Sequence, residues 1–183
     1  MPAPIRPLAV VLALSSVLFG AAACGRGGTA QKAASYIAVA TPSPSTPAER
    51  QKFARSRLVT NAGLAAGATS RWIAEPSKAG AFKAGDRRRA AALAQAELAG
   101  TYAYNRLEAA LRNAQGDPAL TKALAPLSPR IEALKTLPPR LRKGDEAAAR
   151  TFADVVRQVR NAVKSAGIPV SSQVPTARQL ATG

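Results

Sequence analysis

Three clusters of basic side chains are the most prominent chemical feature of the sequence. The 183-residue chain has 26 Lys and Arg against 10 Asp and Glu, a formal net charge of +16. The clusters comprise nine residues: Arg87, Arg88, Arg89, Arg140, Arg142, Lys143, Arg157, Arg160 and Lys164. Basic clusters attract anionic partners, phosphate groups among them. For the run of three Arg at 87–89, a solvated basic surface is the default interpretation and anion binding the alternative. We therefore predict these nine residues as candidate anion-binding residues.

Side chains that carry out common catalytic chemistry are scarce. The chain has no His and one Cys, which excludes Ser-His-Asp triads, Cys-His pairs, Cys/His zinc sites and disulfides within one chain. The ten carboxylates are scattered, and no pair has a spacing that suggests acid-base catalysis. We predict a protein without catalytic residues, metal site or cofactor; an enzyme would need a Ser/Lys or carboxylate site that the sequence does not reveal.

The first 23 residues have the pattern of a secretory signal peptide. Arg6 gives the start a positive charge, residues 8–19 form a 12-residue apolar run, and residues 20–23 are small. The run is shorter than the roughly 20 apolar residues that a transmembrane helix needs. The sequence therefore predicts export, with a buried N-terminal helix as the alternative.

The only cysteine, Cys24, directly follows Ala21-Ala22-Ala23. This stretch resembles the processing site of bacterial lipoproteins, in which a Leu and two small residues usually precede the acceptor Cys; here Ala21 replaces the Leu. The resemblance implies a thioether-linked diacylglycerol on Cys24, which would anchor the protein to the outer face of the cytoplasmic membrane. Ala21-x-Ala23 also fits ordinary secretory cleavage, so a secreted protein is the alternative.

The remaining chain is divided by its composition. Residues 24–45, rich in Gly, Ala, Ser, Thr and Pro, are predicted to be a flexible tether behind the lipidated Cys. A capping box with Pro47 at its first helical position opens a helical domain over 46–167. Residues 168–183 contain two prolines and are predicted to be an irregular tail.

The sequence of this domain predicts an all-α fold, a small helical bundle of about four helices. Apolar residues from Leu58 to Ile73 share one helical face, and Pro76 is the expected stop. A second helix should run from Asp86 to about Gln115, and a last one from its cap Asp145 to a stop at Gly167. Between them, four prolines break a third segment into two or three short helices: Pro126, Pro129, Pro138 and Pro139.

Small and aromatic residues suggest how these helices pack. The chain has 43 Ala, and Gly63 and Gly67 lie one turn apart, so another backbone can approach the first helix closely there. Trp72, Tyr102 and Tyr104 could line a small pocket, although aromatic side chains at the end of a core stripe usually serve packing.

The Ala- and Arg-rich composition, the lipoprotein-like start and residues 63–68 (GLAAGA) resemble small exported helical proteins of actinobacteria. That group has no assigned activity, so the resemblance implies no site residues. We expect a membrane-tethered, non-enzymatic lipoprotein that binds an envelope component or a protein partner. The alternative is an exported module that binds anionic lipid headgroups or phosphate-bearing wall polymers. Export and a content of only eight aromatic residues make nucleic acid a less favoured partner.

Overall fold

The structure, a computed structural model, describes residues 47–182, with side chains from Lys52 onward. These residues form helices and connecting segments without any strand, which confirms the predicted all-α bundle. The signal peptide predicted over 1–23 and the tether predicted over 24–45, including Cys24, lie outside the described residues.

The helices follow one another with short connections. In chain order they are α1 (Pro47–Thr69), a π-helical segment (Ser70–Ala74), α2 (Glu75–Lys78), α3 (Arg89–Ala114), α4 (Pro118–Leu124), a 3₁₀ turn (Ala125–Leu127), α5 (Ser128–Ala133), a second 3₁₀ turn (Leu134–Thr136), α6 (Pro138–Arg142), α7 (Glu146–Ser165) and α8 (Ala177–Thr182).

The first helix passes through the proline that was expected to end it. The π-helical segment joins α1 to α2 without a break, and its last bond runs from the Glu75 N–H to the Ser70 carbonyl. Pro76 therefore falls in the first turn of α2, where a helix does not require an N–H from that position. The expected stop at Pro76 is wrong, because the wider π turn lets the helix start again just before the proline.

Helix α3 begins three residues later than predicted. The Asp86 carboxylate accepts a 2.7 Å hydrogen bond from the Arg88 N–H. This local bond holds residues 86–88 in a turn instead of a helix, since Asp side chains compete for nearby backbone donors. Arg87 and Arg88 consequently precede α3, and Arg89 is its first residue.

Small residues line the largest interhelical contact, which lies between α1 and α3. Ala62, Ala65, Ala99 and Ala103 are at most 1% exposed. Larger side chains close the rest of the core, among them the buried Phe82 of the α2–α3 connection. Because Ala side chains are short, the two helices can approach closely without leaving a cavity.

The proline-broken segment folds into short helices, as predicted. It contributes six buried apolar side chains to the core: Leu120, Leu124, Ile131, Leu134, Leu137 and Leu141. Asp117 caps α4 by accepting hydrogen bonds from the backbone N–H groups of Ala119 and Leu120. Pro118 follows at the first helical position, which is the place in a helix that tolerates proline best.

Helix α7 begins after its predicted cap, Asp145, and is amphipathic. Asp145 is its N-cap and accepts bonds from the Ala147 and Ala148 N–H groups. One face is buried through Phe152, Val155, Val156, Val159 and Val163. Arg and Lys side chains occupy the opposite, exposed face, as expected of an amphipathic surface helix.

The C-terminal residues are more ordered than predicted. Residues 168–176, here called the strap, are irregular, but Ala177–Thr182 form α8, whose Leu180 is buried. The Gln173 N–H in the strap donates a 2.9 Å bond to the Gly63 carbonyl. A Cβ at Gly67 would overlap the Gln173 carbonyl. The backbone that approaches these glycines is therefore the strap, and the prediction of an irregular tail over 168–183 is wrong for its last third.

Candidate anion-binding surface

The three predicted basic clusters lie at the start of α3, at the end of α6 and on the exposed face of α7. Eight of the nine side chains are exposed: Arg87, Arg88, Arg140, Arg142, Lys143, Arg157, Arg160 and Lys164. Arg89 is half-buried instead, because its Nε donates a 2.9 Å hydrogen bond to the Phe82 carbonyl. Because Arg89 is half-buried and bonds to the backbone, it has a structural role at the end of the core.

The fold brings the first two clusters together. A Cβ built at Gly144 would lie 3.2 Å from Nη2 of Arg89, so the guanidinium rests against the residue that follows Lys143. Gly144 has a φ of +84°, a conformation that favours glycine. The absence of a side chain at Gly144 is thus what allows the start of α3 to sit beside the end of α6.

Carboxylates neutralise part of this joint surface. Nε and Nη2 of Arg140 both contact Oδ2 of Asp145, with nitrogen–oxygen distances of 2.8 and 2.6 Å. Hydrogen bonds from the Ala148 N–H and from Arg140 hold the pKa of Asp145 below its usual value. Arg142 faces Glu97 at 3.9 Å, and Arg88 faces Asp86 at 3.8 Å.

Within residues 52–182, Arg87 and Lys143 form no ion pair. At the joint surface of the first two clusters, these two side chains are therefore the most available to bind an external anion.

The third cluster lines a distinct pocket of about 350 Å³ between α7 and the strap. Its walls are formed by Arg157, Arg160, Asn161, Lys164, Pro169 and Val170, with no carboxylate among them. Arg160 donates a 3.4 Å bond to the Val170 carbonyl, which orients its guanidinium along the strap. Arg157 pairs with Asp154 at 2.7 Å through a single terminal nitrogen.

A second cleft of about 230 Å³ shares Arg157 and Arg160 with this pocket. It is bounded by the end of α1, the π-helical segment, α7 and the strap, and Thr69, Ser70 and Ser172 contribute hydroxyl-bearing side chains to its wall. No sequence pattern indicated these three residues, since Thr69 lies at a position of the apolar stripe of α1.

The three aromatic side chains do not share a pocket, which agrees with the packing role that the sequence favours. Trp72 lies in a groove with residues of α2 and α3 and donates a 3.3 Å bond to the Pro175 carbonyl. Tyr102 is buried in the core, with the Arg106 guanidinium 4.8 Å from its ring centroid. Tyr104 donates a 3.1 Å bond to Glu132, and burial together with this bond raises the pKa of Tyr104. The three rings thus serve three separate contacts.

One basic residue outside the clusters has a structural partner. Arg55 of α1 forms an ion pair with Asp117, which is only 1% exposed. Burial of Asp117 acts to raise its pKa, but hydrogen bonds from Arg55, Leu120 and Ala119 outweigh it, and the pKa of Asp117 is lowered. A charged Asp117 therefore joins α1 to the start of α4.

Among residues 47–182, no group of three or more metal-binding side chains occurs, and no helix is both long and apolar enough to cross a bilayer. Comparison with protein-family models, curated proteins and solved structures finds no match. The basic surface and its clefts are accordingly the features from which a function can be argued.

Proposed function

We propose that this chain is an exported lipoprotein, anchored through Cys24 to the outer face of the cytoplasmic membrane, whose basic helical domain binds phosphate-bearing anions of the envelope. The protein acts by binding and not by catalysis. Two lines of support are independent of each other: the signal-like residues 1–23 with Cys24 at their end, and the charge distribution of the folded domain.

The observation that carries the binding proposal is the carboxylate-free pocket on α7. A net charge of +16 alone favours any polyanion. Arg157, Arg160 and Lys164, in contrast, converge on one pocket between α7 and the strap. Guanidinium groups bind phosphate oxygens in a bidentate manner, and ammonium groups add a point charge. Anionic phospholipid headgroups and phosphate-bearing wall polymers both present this chemistry outside the membrane.

Replacement of the lone cysteine tests the anchor. We expect Cys24→Ala to lose incorporation of a palmitate analogue in metabolically labelled cells, because no other thiol is present to carry the diacylglycerol. The variant should shift from the membrane fraction to soluble fractions. Ser35→Ala in the predicted tether is the matched control and should keep the label. Equal labelling of Cys24→Ala and the unmodified chain would remove the anchor from the proposal.

Neutralisation of the α7 cluster tests the binding surface. We expect the triple variant Arg157→Gln, Arg160→Gln, Lys164→Gln to bind vesicles of anionic phospholipid at least tenfold more weakly, at roughly 1 kcal/mol per basic residue near such a surface. Binding of the unmodified chain should weaken steeply as NaCl rises. The measurement is vesicle cosedimentation of the purified chain.

A control with the same net charge separates the pocket from overall charge. Lys122→Gln, Arg130→Gln, Lys135→Gln removes three exposed charges that do not line the pocket. This variant should bind more tightly than the α7 variant. If both lose affinity equally, or if binding is insensitive to salt, the α7 pocket is not the binding surface.

A further inference from the structure

The cleft beside the α7 pocket contains a buried hydroxyl without a partner. Thr69 is 2% exposed, and its Oγ1 has no hydrogen-bond partner among the described residues. A buried hydroxyl that makes no bond is unfavourable, so such groups are rare in folded proteins, and a water, an ion or a functional role usually accounts for them. Thr69 forms part of the wall of the 230 Å³ cleft.

The backbone at this position is also irregular. Thr69 is the last residue of α1, and the next residue begins the π-helical segment Ser70–Ala74. Single π turns inserted in α-helices are often found at functional sites, because they change the direction of the side chains that follow. Here the turn supplies Ser70 and Ala74 to the same cleft wall as Thr69.

The charges in the cleft favour an anion. Arg157 and Arg160 are the charged residues of its wall, and no carboxylate lines it. Asp154 occupies one terminal nitrogen of Arg157 at 2.7 Å, but a guanidinium has five N–H donors. Thr69 and Ser172 add hydroxyl donors, whereas the Ser70 hydroxyl already donates a 3.3 Å bond to Glu75. The cleft therefore combines two positive charges with two hydroxyl groups that bond well to phosphate oxygens.

The size of the cleft limits the ligand. Its volume of about 230 Å³ lies below the range of about 300–1,000 Å³ that is typical of drug-sized ligands. We infer that this cleft binds a single phosphate group, held by Arg157, Arg160 and the Thr69 hydroxyl. The inference rests on the proposed function in that it places a phosphate-specific subsite within the basic surface, but its test is independent of vesicle binding.

The test uses inorganic phosphate as the probe and Thr69→Val as the variant. Val has the shape of Thr without the hydroxyl, so it removes the unpartnered group and leaves the packing. We expect calorimetric titration to show phosphate binding at a chloride concentration that keeps ionic strength constant. Thr69→Val should weaken it about tenfold or more, the size of a lost hydrogen bond to a charged group. The stability of the phosphate-free variant should equal or exceed that of the unmodified chain.

Two further variants make the result specific. Thr69→Ser keeps the hydroxyl and should retain phosphate binding. Arg150→Gln changes a residue on the same helix that pairs with Glu146 outside the cleft, and it should leave phosphate affinity unchanged. Phosphate that binds no better than chloride, or an equal loss in Thr69→Val and Arg150→Gln, would overturn the inference.

The source of the phosphate is distinguished by comparing a soluble phosphomonoester with vesicles that contain phosphatidic acid. Binding of the soluble compound that depends on Thr69 identifies a free phosphate ligand; dependence on Thr69 with vesicles alone identifies a lipid headgroup. Salt-dependent vesicle binding, together with vesicle and phosphate binding that are both insensitive to Thr69→Val, leaves the proposed function and removes the subsite. Phosphate binding that depends on Thr69, in a chain that does not bind vesicles, supports the subsite and removes the proposed vesicle-binding function.

Discussion

Asp117 shows how one buried charge connects distant parts of the chain. Its carboxylate caps α4 through two backbone N–H groups and also accepts a hydrogen bond from Arg55, which lies 62 residues earlier. The cap was readable from the sequence, since Asp-Pro after Gly116 is a typical helix start. Its pairing with Arg55 was not, because Arg55 has the same appearance in sequence as its basic neighbours on α1.

We expect Asp117→Asn to lower the free energy of unfolding by about 1–3 kcal/mol near neutral pH, the cost typical of a disrupted hydrogen bond to a buried charged group. The lowered pKa of Asp117 fixes the sign of the pH dependence. Its contribution is present above the unfolded-state pKa of about 3.9 and is lost as the pH falls below that value through the folded-state pKa. Urea unfolding at a series of pH values measures this.

The variant and the unmodified chain should therefore converge in acid. Asp145→Asn is the control, since Asp145 also has a lowered pKa but caps the exposed start of α7. When Asp145→Asn is introduced into both chains, the difference in the free energy of unfolding between the Asp117→Asn chain and the chain with Asp117 should stay the same. A difference that stays constant from neutral pH down to about pH 2 would show that the Asp117 charge does not stabilise the fold.

At the scale of helices, local sequence signals correctly predicted several helix bounds that local hydrogen bonds determine. The starts of α1, α4 and α7 and the breaks between the short helices agree with the sequence patterns. Three predictions at this scale were wrong: a π turn carried α1 past Pro76, the Asp86–Arg88 bond delayed α3, and α8 formed within the predicted irregular tail. Anion binding by the nine basic residues stays a prediction, and only the folded chain places Arg89 against Gly144.

The sequence predicted the irregular backbone of the strap but not that the strap packs against α1, and Gly67 provides the test of that packing. An Ala in a helix usually stabilises by about 0.5–1 kcal/mol relative to Gly. At Gly67 we expect the opposite sign, since the added Cβ would overlap the Gln173 carbonyl. Hydrogen exchange at the Gln173 amide should become faster, and the fluorescence of Trp72, the only Trp, should change because its ring bonds to Pro175.

Asn61→Ala supplies the control for this prediction. Asn61 lies on the same helix, and its side chain bonds only to the Arg57 carbonyl one turn earlier. It should leave exchange at Gln173 and the Trp72 fluorescence unchanged. A Gly67→Ala chain that is more stable than the unmodified one, with normal exchange at Gln173, would mean that the strap does not pack against α1.

For the whole molecule, the large net positive charge has two opposing consequences. The excess of 26 basic over 10 acidic residues attracts anions, and the same charges repel one another in the folded domain. The nine ion pairs found within residues 52–182 are mostly exposed on both partners, and exposed pairs contribute about 0–1 kcal/mol each. Repulsion should therefore outweigh these pairs in the folded domain.

We expect NaCl to raise stability and to weaken anion binding in the same protein. Between about 0.02 M and about 0.5 M salt the screening length falls severalfold, which reduces both the self-repulsion and the attraction to an anionic vesicle. Chloride is the appropriate salt, because phosphate would also stabilise the chain by binding. Urea unfolding and vesicle cosedimentation at matched salt concentrations measure the two trends, with sucrose as an uncharged cosolute control for unfolding. Stability that falls as NaCl rises would show that the ion pairs, and not the net charge, dominate the electrostatics of the fold.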